Sequence, residues 1–99
     1  MEKTATRDLG NEIDGMKGWQ LRFRLLKLEP GGVIGLHSHK DRPAVAYVLE
    51  GTLTEHVDGG ATKEHPKEDA WSQGKETTHW AENKGKTPVV LAVGDILKP

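Results

Sequence analysis

The chemistry open to this chain centres on histidine, of which it has five, and not on cysteine, of which it has none. His37 and His39 are separated by one residue in the stretch Gly31-Gly32-Val33-Ile34-Gly35-Leu36-His37-Ser38-His39. In an extended segment side chains alternate with period two, so both imidazoles point to the same face and can converge on one metal ion. His79 lies in a later extended segment, Thr77–Asn83, and is the third candidate ligand. Neutral imidazole nitrogen binds Fe, Zn, Ni, Mn or Cu, and affinity order alone does not choose among them. Three histidines fill one face of a coordination sphere and leave positions open for water, oxygen or a bidentate substrate, as catalytic sites require. The expected cofactor is one divalent transition metal ion, held by His37, His39 and His79.

These histidines need a rigid frame, and the chain reads as a series of short strands. Trp19-Gln20-Leu21-Arg22-Phe23-Arg24-Leu25 alternates apolar and polar residues, which predicts a strand with Trp19, Leu21, Phe23 and Leu25 on the core face and Arg22 and Arg24 solvated. If that face is reversed, one of the arginines reaches the pocket and can bind a carboxylate bidentately. Leu26-Lys27-Leu28 continues out of phase, predicting a bulge near Leu25–Leu26. Glu29-Pro30-Gly31-Gly32 is a turn. Further strands are expected over Val33–His39, Ala44–Glu50, Thr52–Val57, Ala61–His65, Ala70–Ser72, Thr77–Asn83 and Val89–Val93, with Asp95–Pro99 trailing. Asp58-Gly59-Gly60 marks a hairpin. Residues 1–17 are polar and read as a loose arm or an edge strand; residues 19–97 form the body of a single domain covering 1–99. The pattern predicts an all-β fold, a small barrel or sandwich of two antiparallel sheets.

Composition excludes several classes. A formal net charge of −1, with both signs mixed, leaves no footprint for nucleic acid or an anionic membrane. Without cysteine there is no disulfide scaffold, iron–sulfur cluster, thiol nucleophile or thiolate zinc site. The polar start, Met1 to Asp8, has no apolar run of a signal peptide, and no run approaches the ~20 residues that span a bilayer. A cytoplasmic protein that meets a small-molecule ligand or substrate is the expectation.

The spacing around the histidines resembles the cupins. Their first motif runs glycine, five residues, His-x-His, three or four residues, glutamate, six residues, glycine. Gly31, His37, His39 and Gly51 stand at those places, and Ala44 stands where the glutamate would be. The second motif closes on His, three residues, Asn, matched by His79 and Asn83; its earlier positions are held by Glu68, Gly74 and Glu76, which do not match. Glu68-Asp69-Ala70-Trp71 resembles the Gly-Asp step that opens this motif in many small cupins. The resemblance covers residues 19–97. It implies a jelly-roll-like barrel, or double-stranded β-helix, and a homodimer; an exposed N-terminal strand pairing across the dimer would also cover an edge that otherwise invites aggregation. The three-histidine set is similar to that of the thiol dioxygenase branch, which uses non-haem Fe(II).

Asp41, Glu50, Gln73 and Glu76 are candidates for an extra ligand or for support around the metal, in place of the missing glutamate. Ala44, Ala46 and Val48 are expected to line the pocket, and Tyr47 to face away from it. Trp80 should turn away because it follows His79, and Trp19, Trp71 and Trp80 read as core or interface residues. His56 and His65 have no partner in register and are expected to be exposed; Asn83 reads as a turn residue. Three functions stay open: a metal-dependent enzyme, led by a dioxygenase on a small organic substrate; a non-catalytic binding or sensor module; and a redox-inert metal hydrolase or isomerase.

Overall fold

The computed structural model describes residues 2–99, and among these the regular structure is entirely β. The strands are β1 (Glu2–Asp8), β2 (Gln20–Leu28), β3 (Val33–Ser38), β4 (Ala44–Glu50), β5 (Leu53–Val57), β6 (Thr62–His65), β7 (Ala70–Gln73), β8 (Thr78–Glu82) and β9 (Val89–Leu97). They form a five-stranded sheet in the order β1-β2-β9-β4-β7 and a four-stranded sheet in the order β3-β8-β5-β6. Neighbouring strands are antiparallel, and the order alternates distant parts of the chain, as in a jelly roll. No helix among the described residues is long and apolar enough to cross a membrane.

The core lies between the sheets and follows strand parity. In β4, Ala44, Ala46 and Val48 are buried while Val45, Tyr47 and Leu49 face out. Val89, Leu91 and Val93 of β9 supply the same layer, and Leu53 and Ala81 meet them from the other sheet. The Asp58-Gly59-Gly60 turn joins β5 to β6 as the sequence predicts. At the other end of the barrel, Gly51 takes φ +78°, and a Cβ there would lie 2.6 Å from the Pro88 carbonyl oxygen, so only glycine lets the two turns approach.

β2 corrects the sequence reading. It pairs with β9 in one unbroken register from Gln20↔Leu97 to Leu28↔Val89, with no bulge at Leu25–Leu26. The phase is set by Leu26 and Leu28, whose row faces the core and carries Arg22 and Arg24 inward with it. Leu21 and Phe23 are each 47% exposed on the outer face. Arg22 is accommodated inside because it forks onto buried Asp95, Nε to Oδ1 at 3.0 Å and Nη2 to Oδ2 at 2.6 Å. β9 extends to Leu97, with Asp95 and Leu97 still paired to β2, so of the expected trailing segment Asp95–Pro99 only Lys98 and Pro99 lie beyond the strand.

Asn83 is buried and ties three segments together. Its Nδ2 donates to the carbonyls of Leu28 (3.0 Å) and Thr87 (2.8 Å), and its Oδ1 accepts from Gly85 N (2.9 Å). Its own backbone pairs with Gly31 and Gly32, closing the turn that leads into β3. Asn83→Ala strands these groups away from water and is expected to cost about 3 kcal/mol, measured as a shift of the urea midpoint with unchanged slope.

Candidate metal centre

His37 and His79 are direct cross-strand partners on β3 and β8, so their side chains are neighbours on one face. The register shifts between Ile34 and His37, which re-aims the end of β3. His39 follows the strand and is pinned by its N–H to the Thr77 carbonyl at 2.8 Å. The chain then folds back, Asp41 at φ +59°, and Arg42 N donates to the His39 carbonyl at 3.0 Å.

The result is a triangle of Nε2 atoms: His37–His39 3.1 Å, His39–His79 2.9 Å and His37–His79 3.0 Å. Each ring is oriented from behind. Nδ1 of His37 donates to the Gly35 carbonyl (2.8 Å), Nδ1 of His39 to the Arg42 carbonyl (2.9 Å) and Nδ1 of His79 to Glu55 Oε2 (2.6 Å). A neutral imidazole that donates from Nδ1 carries a bare lone pair on Nε2. Three lone pairs thus face one another at van der Waals range, an arrangement that a cation between them makes favourable. With metal–nitrogen bonds of about 2.1 Å, an octahedral face has edges of about 3.0 Å and a tetrahedral one about 3.4 Å. The triangle is of a size that one shared metal ion can span.

Burial favours the neutral forms of His37 and His39. Burial pushes His37 and His39 below the usual histidine range; backbone hydrogen bonds to Gly35 and Arg42 offset part of this, and the charges of His79 and Arg42 add to it. Burial alone would raise the Glu55 carboxyl, but hydrogen bonds from His65 and His79 hold it below the usual carboxylate range.

Glu55 is the residue sequence reasoning misses, although it has a signal: it shares parity with Leu53 and Val57 on β5, a carboxylate in an apolar row. It faces inward at 3% exposure and meets His65 Nε2 at 2.8 Å as well as His79. His65, expected to be exposed, is buried, with Nδ1 against Asp69 Oδ2 at 2.6 Å and its ring stacked on Trp71 at 3.7 Å between centroids. Its carboxylate partners are Glu55, diagonal to it across the β5–β6 hairpin, where Leu53 stands directly opposite, and Asp69 in the turn before β7, so direct cross-strand pairing alone does not reveal them. His56 is half-buried on the outer face, stacked on Trp80 and bonded to Glu82. Trp80 points away from the three histidines, as alternation requires.

The three histidines open onto a cavity of about 210 Å³ with an apolar wall that includes Leu26, Ile34, Leu53, Leu91 and Val93. Arg24, Arg42, Trp71 and Gln73 also line it. Trp71, expected in the core or an interface, therefore faces the site. Of the alanines and valine predicted at the pocket, Ala46 lines it, while Ala44 and Val48 lie buried outside it. Gln73 is buried at the cavity wall; Asp41, Glu50 and Glu76 lie outside its lining. Among the described residues, the group that could hold a metal ion is His37, His39 and His79.

A family model described as a cupin domain matches residues 24–94. The fold is similar to that of a Thermotoga maritima protein described as a predicted oxalate decarboxylase (23% identity, 94% of this chain and 98% of the other, TM-score 0.69). It is also similar to TT1209 from Thermus thermophilus (25% identity, 80% and 74%, TM-score 0.71) and to KdgF from a Halomonas species (21% identity, 84% and 84%, TM-score 0.64). No curated protein matches the chain.

Removing the carboxylate behind a ligating histidine loosens its tautomer and orientation. Glu55→Gln places an amide N–H₂ against one of two ring N–H groups and is expected to weaken metal binding about 10- to 100-fold. Asp41→Asn, Glu50→Gln and Glu76→Gln are expected to leave it unchanged. Competition with a chromophoric chelator measures both.

Proposed function

The chain belongs to the cupin family, and on that premise we propose that it is a metal-dependent enzyme acting on a small organic substrate, with dioxygenase chemistry as the specific assignment. The observation that carries the proposal is the triangle of three Nε2 lone pairs, each fixed by a hydrogen bond at Nδ1 and open on the cavity side. When bound there, a divalent metal supplies open coordination positions and, in the case of iron, one-electron chemistry with dioxygen. The protein's own contribution is positional. His37, His39 and His79 would hold the cation without a directly ligating carboxylate, with Glu55 behind His79 as the nearest counter-charge, so the centre would stay positive toward an anionic partner. Ala44, the position where related motifs carry glutamate, adds no ligand. The apolar wall lowers the local dielectric beside the histidines, which strengthens the electrostatic contacts there.

Metal content by mass spectrometry on anaerobically purified protein tests this. About one equivalent of iron, absent from the His37→Ala/His39→Ala variant, together with oxygen uptake on addition of thiols, diketones or carboxylates, is the expected outcome. One equivalent of zinc or nickel with oxygen-independent turnover moves the site to hydrolase or isomerase chemistry. No metal after reconstitution removes the enzyme reading and leaves a binding module.

We also propose that the protein works as a homodimer through the outer face of the five-stranded sheet. Leu21, Phe23, Val45, Tyr47 and Leu49 are exposed there, and only Gly94 separates Phe23 from Val45 in register. An exposed apolar patch of this kind marks an interaction site. Light scattering should give twice the 10.9 kDa chain mass, and Phe23→Glu with Val45→Glu should give the monomer; a monomeric wild type refutes the dimer.

A further inference from the structure

Ala44 opens β4 and Gln73 closes β7, and the two are direct cross-strand partners. Directly opposed residues send their side chains to the same face. Ala44 lies on the inner face with Ala46 and Val48, so Gln73 points inward too, and it is only 8% exposed. The pair stands at the histidine end of the barrel. β7 runs straight into the turn that holds His39: Thr77 N donates to the Gly74 carbonyl at 3.0 Å, and His39 N donates to the Thr77 carbonyl at 2.8 Å. Gln73 accordingly lines the cavity onto which the three histidines open.

A primary amide offers two donors and two acceptor lone pairs, and a buried one is normally hydrogen-bonded. Among the described residues nothing bonds to the Gln73 amide, and the carboxylates that share its surroundings are engaged. Both Glu55 oxygens are taken by His65 and His79, and both Asp95 oxygens by Arg22. The amide is not sealed off, as the indole N–H of Trp71 is. Two cavities meet at Gln73: that of the histidines, and one of about 300 Å³ on its other side, bordered by Lys63, His65 and Glu76. The charged groups of the second are served by water. The first presents three bare lone pairs 2.9–3.1 Å apart, and a cation held by them has no oxygen ligand from the protein.

We propose that Gln73 is a fourth protein ligand of the metal centre, its amide Oε1 reaching the cation from β7 in the place that Ala44 leaves empty. Glutamine has the length of glutamate. An alanine on β4 beside a glutamine on β7 is the pair that results when the oxygen donor moves one strand sideways, about 4.8 Å. A carbonyl oxygen is a ligand for the harder divalent ions, and mixed with imidazoles it suits an ion of intermediate character. The amide is uncharged, so the formal charge of the ion is left whole, where a glutamate at position 44 would halve it. The inference rests on the reading of the three histidines as a metal centre.

The test is metal binding by the full chain, with Mn²⁺ and Co²⁺ in competition with a chromophoric chelator, and the visible spectrum of the Co²⁺-loaded protein. Gln73→Leu is expected to weaken both ions about 10- to 100-fold and to change the Co²⁺ bands. Gln73→Glu, which offers an anionic oxygen at the same reach, should bind more tightly than the wild type. Gln73→Ala serves where the leucine variant fails to fold, with the same expected loss. Wild-type affinity and an unchanged Co²⁺ spectrum in Gln73→Leu or Gln73→Ala overturn the ligand. A loss of affinity that Gln73→Glu shares overturns it as well, because a purely structural side chain gives that result. Where the wild type binds metal and the His37→Ala/His39→Ala variant does not, an unaffected Gln73→Leu removes Gln73 and leaves the three-histidine centre standing. A wild type that takes up neither ion removes both.

Discussion

The structure depends on where three protons sit. Each of His37, His39 and His79 places its Nδ1 proton on an oxygen behind it, and that alone turns three Nε2 lone pairs toward a common point. The oxygens have different origins: a carbonyl two residues back along β3, a carbonyl in the loop after it, and a carboxylate on β5. Each makes a different part of the fold answerable for the site. The register shift in β3 sets His37, the reversal at Asp41 sets His39, and the β5–β8 pairing sets His79. Loss of one acceptor frees one ring to flip, and a convergent triangle becomes a set of separate imidazoles.

Glu55 shows how this arrangement is tolerated inside a thin core. A buried carboxylate is costly unless each of its oxygens is paired. Glu55 has one ring nitrogen on each oxygen, and His65 in turn reaches Asp69, whose side chain is 39% exposed. The charge inside is therefore connected to solvent through hydrogen bonds instead of being isolated. On the opposite wall the balance is left open. Asp95 answers Arg22, while the Nε of Arg24 and that of Arg42 are buried without a hydrogen-bond partner. One side of the site is electrostatically closed and the other is incomplete.

Much of this is legible in the sequence, for physical reasons that also explain what is not. His-x-His spacing in an extended segment permits only one relative orientation, so His37 and His39 stand out at once, and His79 follows from its own strand. Strand β2 is harder, because apolar residues occupy both of its rows. Leu21 and Phe23 alternate as cleanly as Leu26 and Leu28, and alternation gives a period without saying which phase is inside. The rule that charge faces water puts the arginines in solvent, and it fails where Asp95 waits across the sheet. His65 escapes a reading of directly opposed pairs because Glu55 stands diagonal to it in the β5–β6 hairpin and Asp69 lies in the following turn. Glu68 is instructive in the other direction. It stands where the family pattern calls for glycine, and it adopts φ +75°, a conformation disfavoured for a residue with a Cβ. The turn keeps a shape suited to glycine with a glutamate in its place.

Trp71 joins the two halves of the site. Its indole N–H lies buried without a partner, and its ring lies nearly parallel, at 11°, on His65. His65 holds Glu55, and Glu55 holds His79. Trp71 thus packs on one end of a chain of contacts whose far end orients a candidate metal ligand. Packed cores respond to displacement as connected bodies because they have little free volume. The cavity wall and the three-histidine face are thus joined by one chain of contacts. The same ring that contributes to one supports the hydrogen-bond chain that fixes the other. This explains physically why a small barrel with little core to spare places a tryptophan and two further titratable residues behind a single histidine.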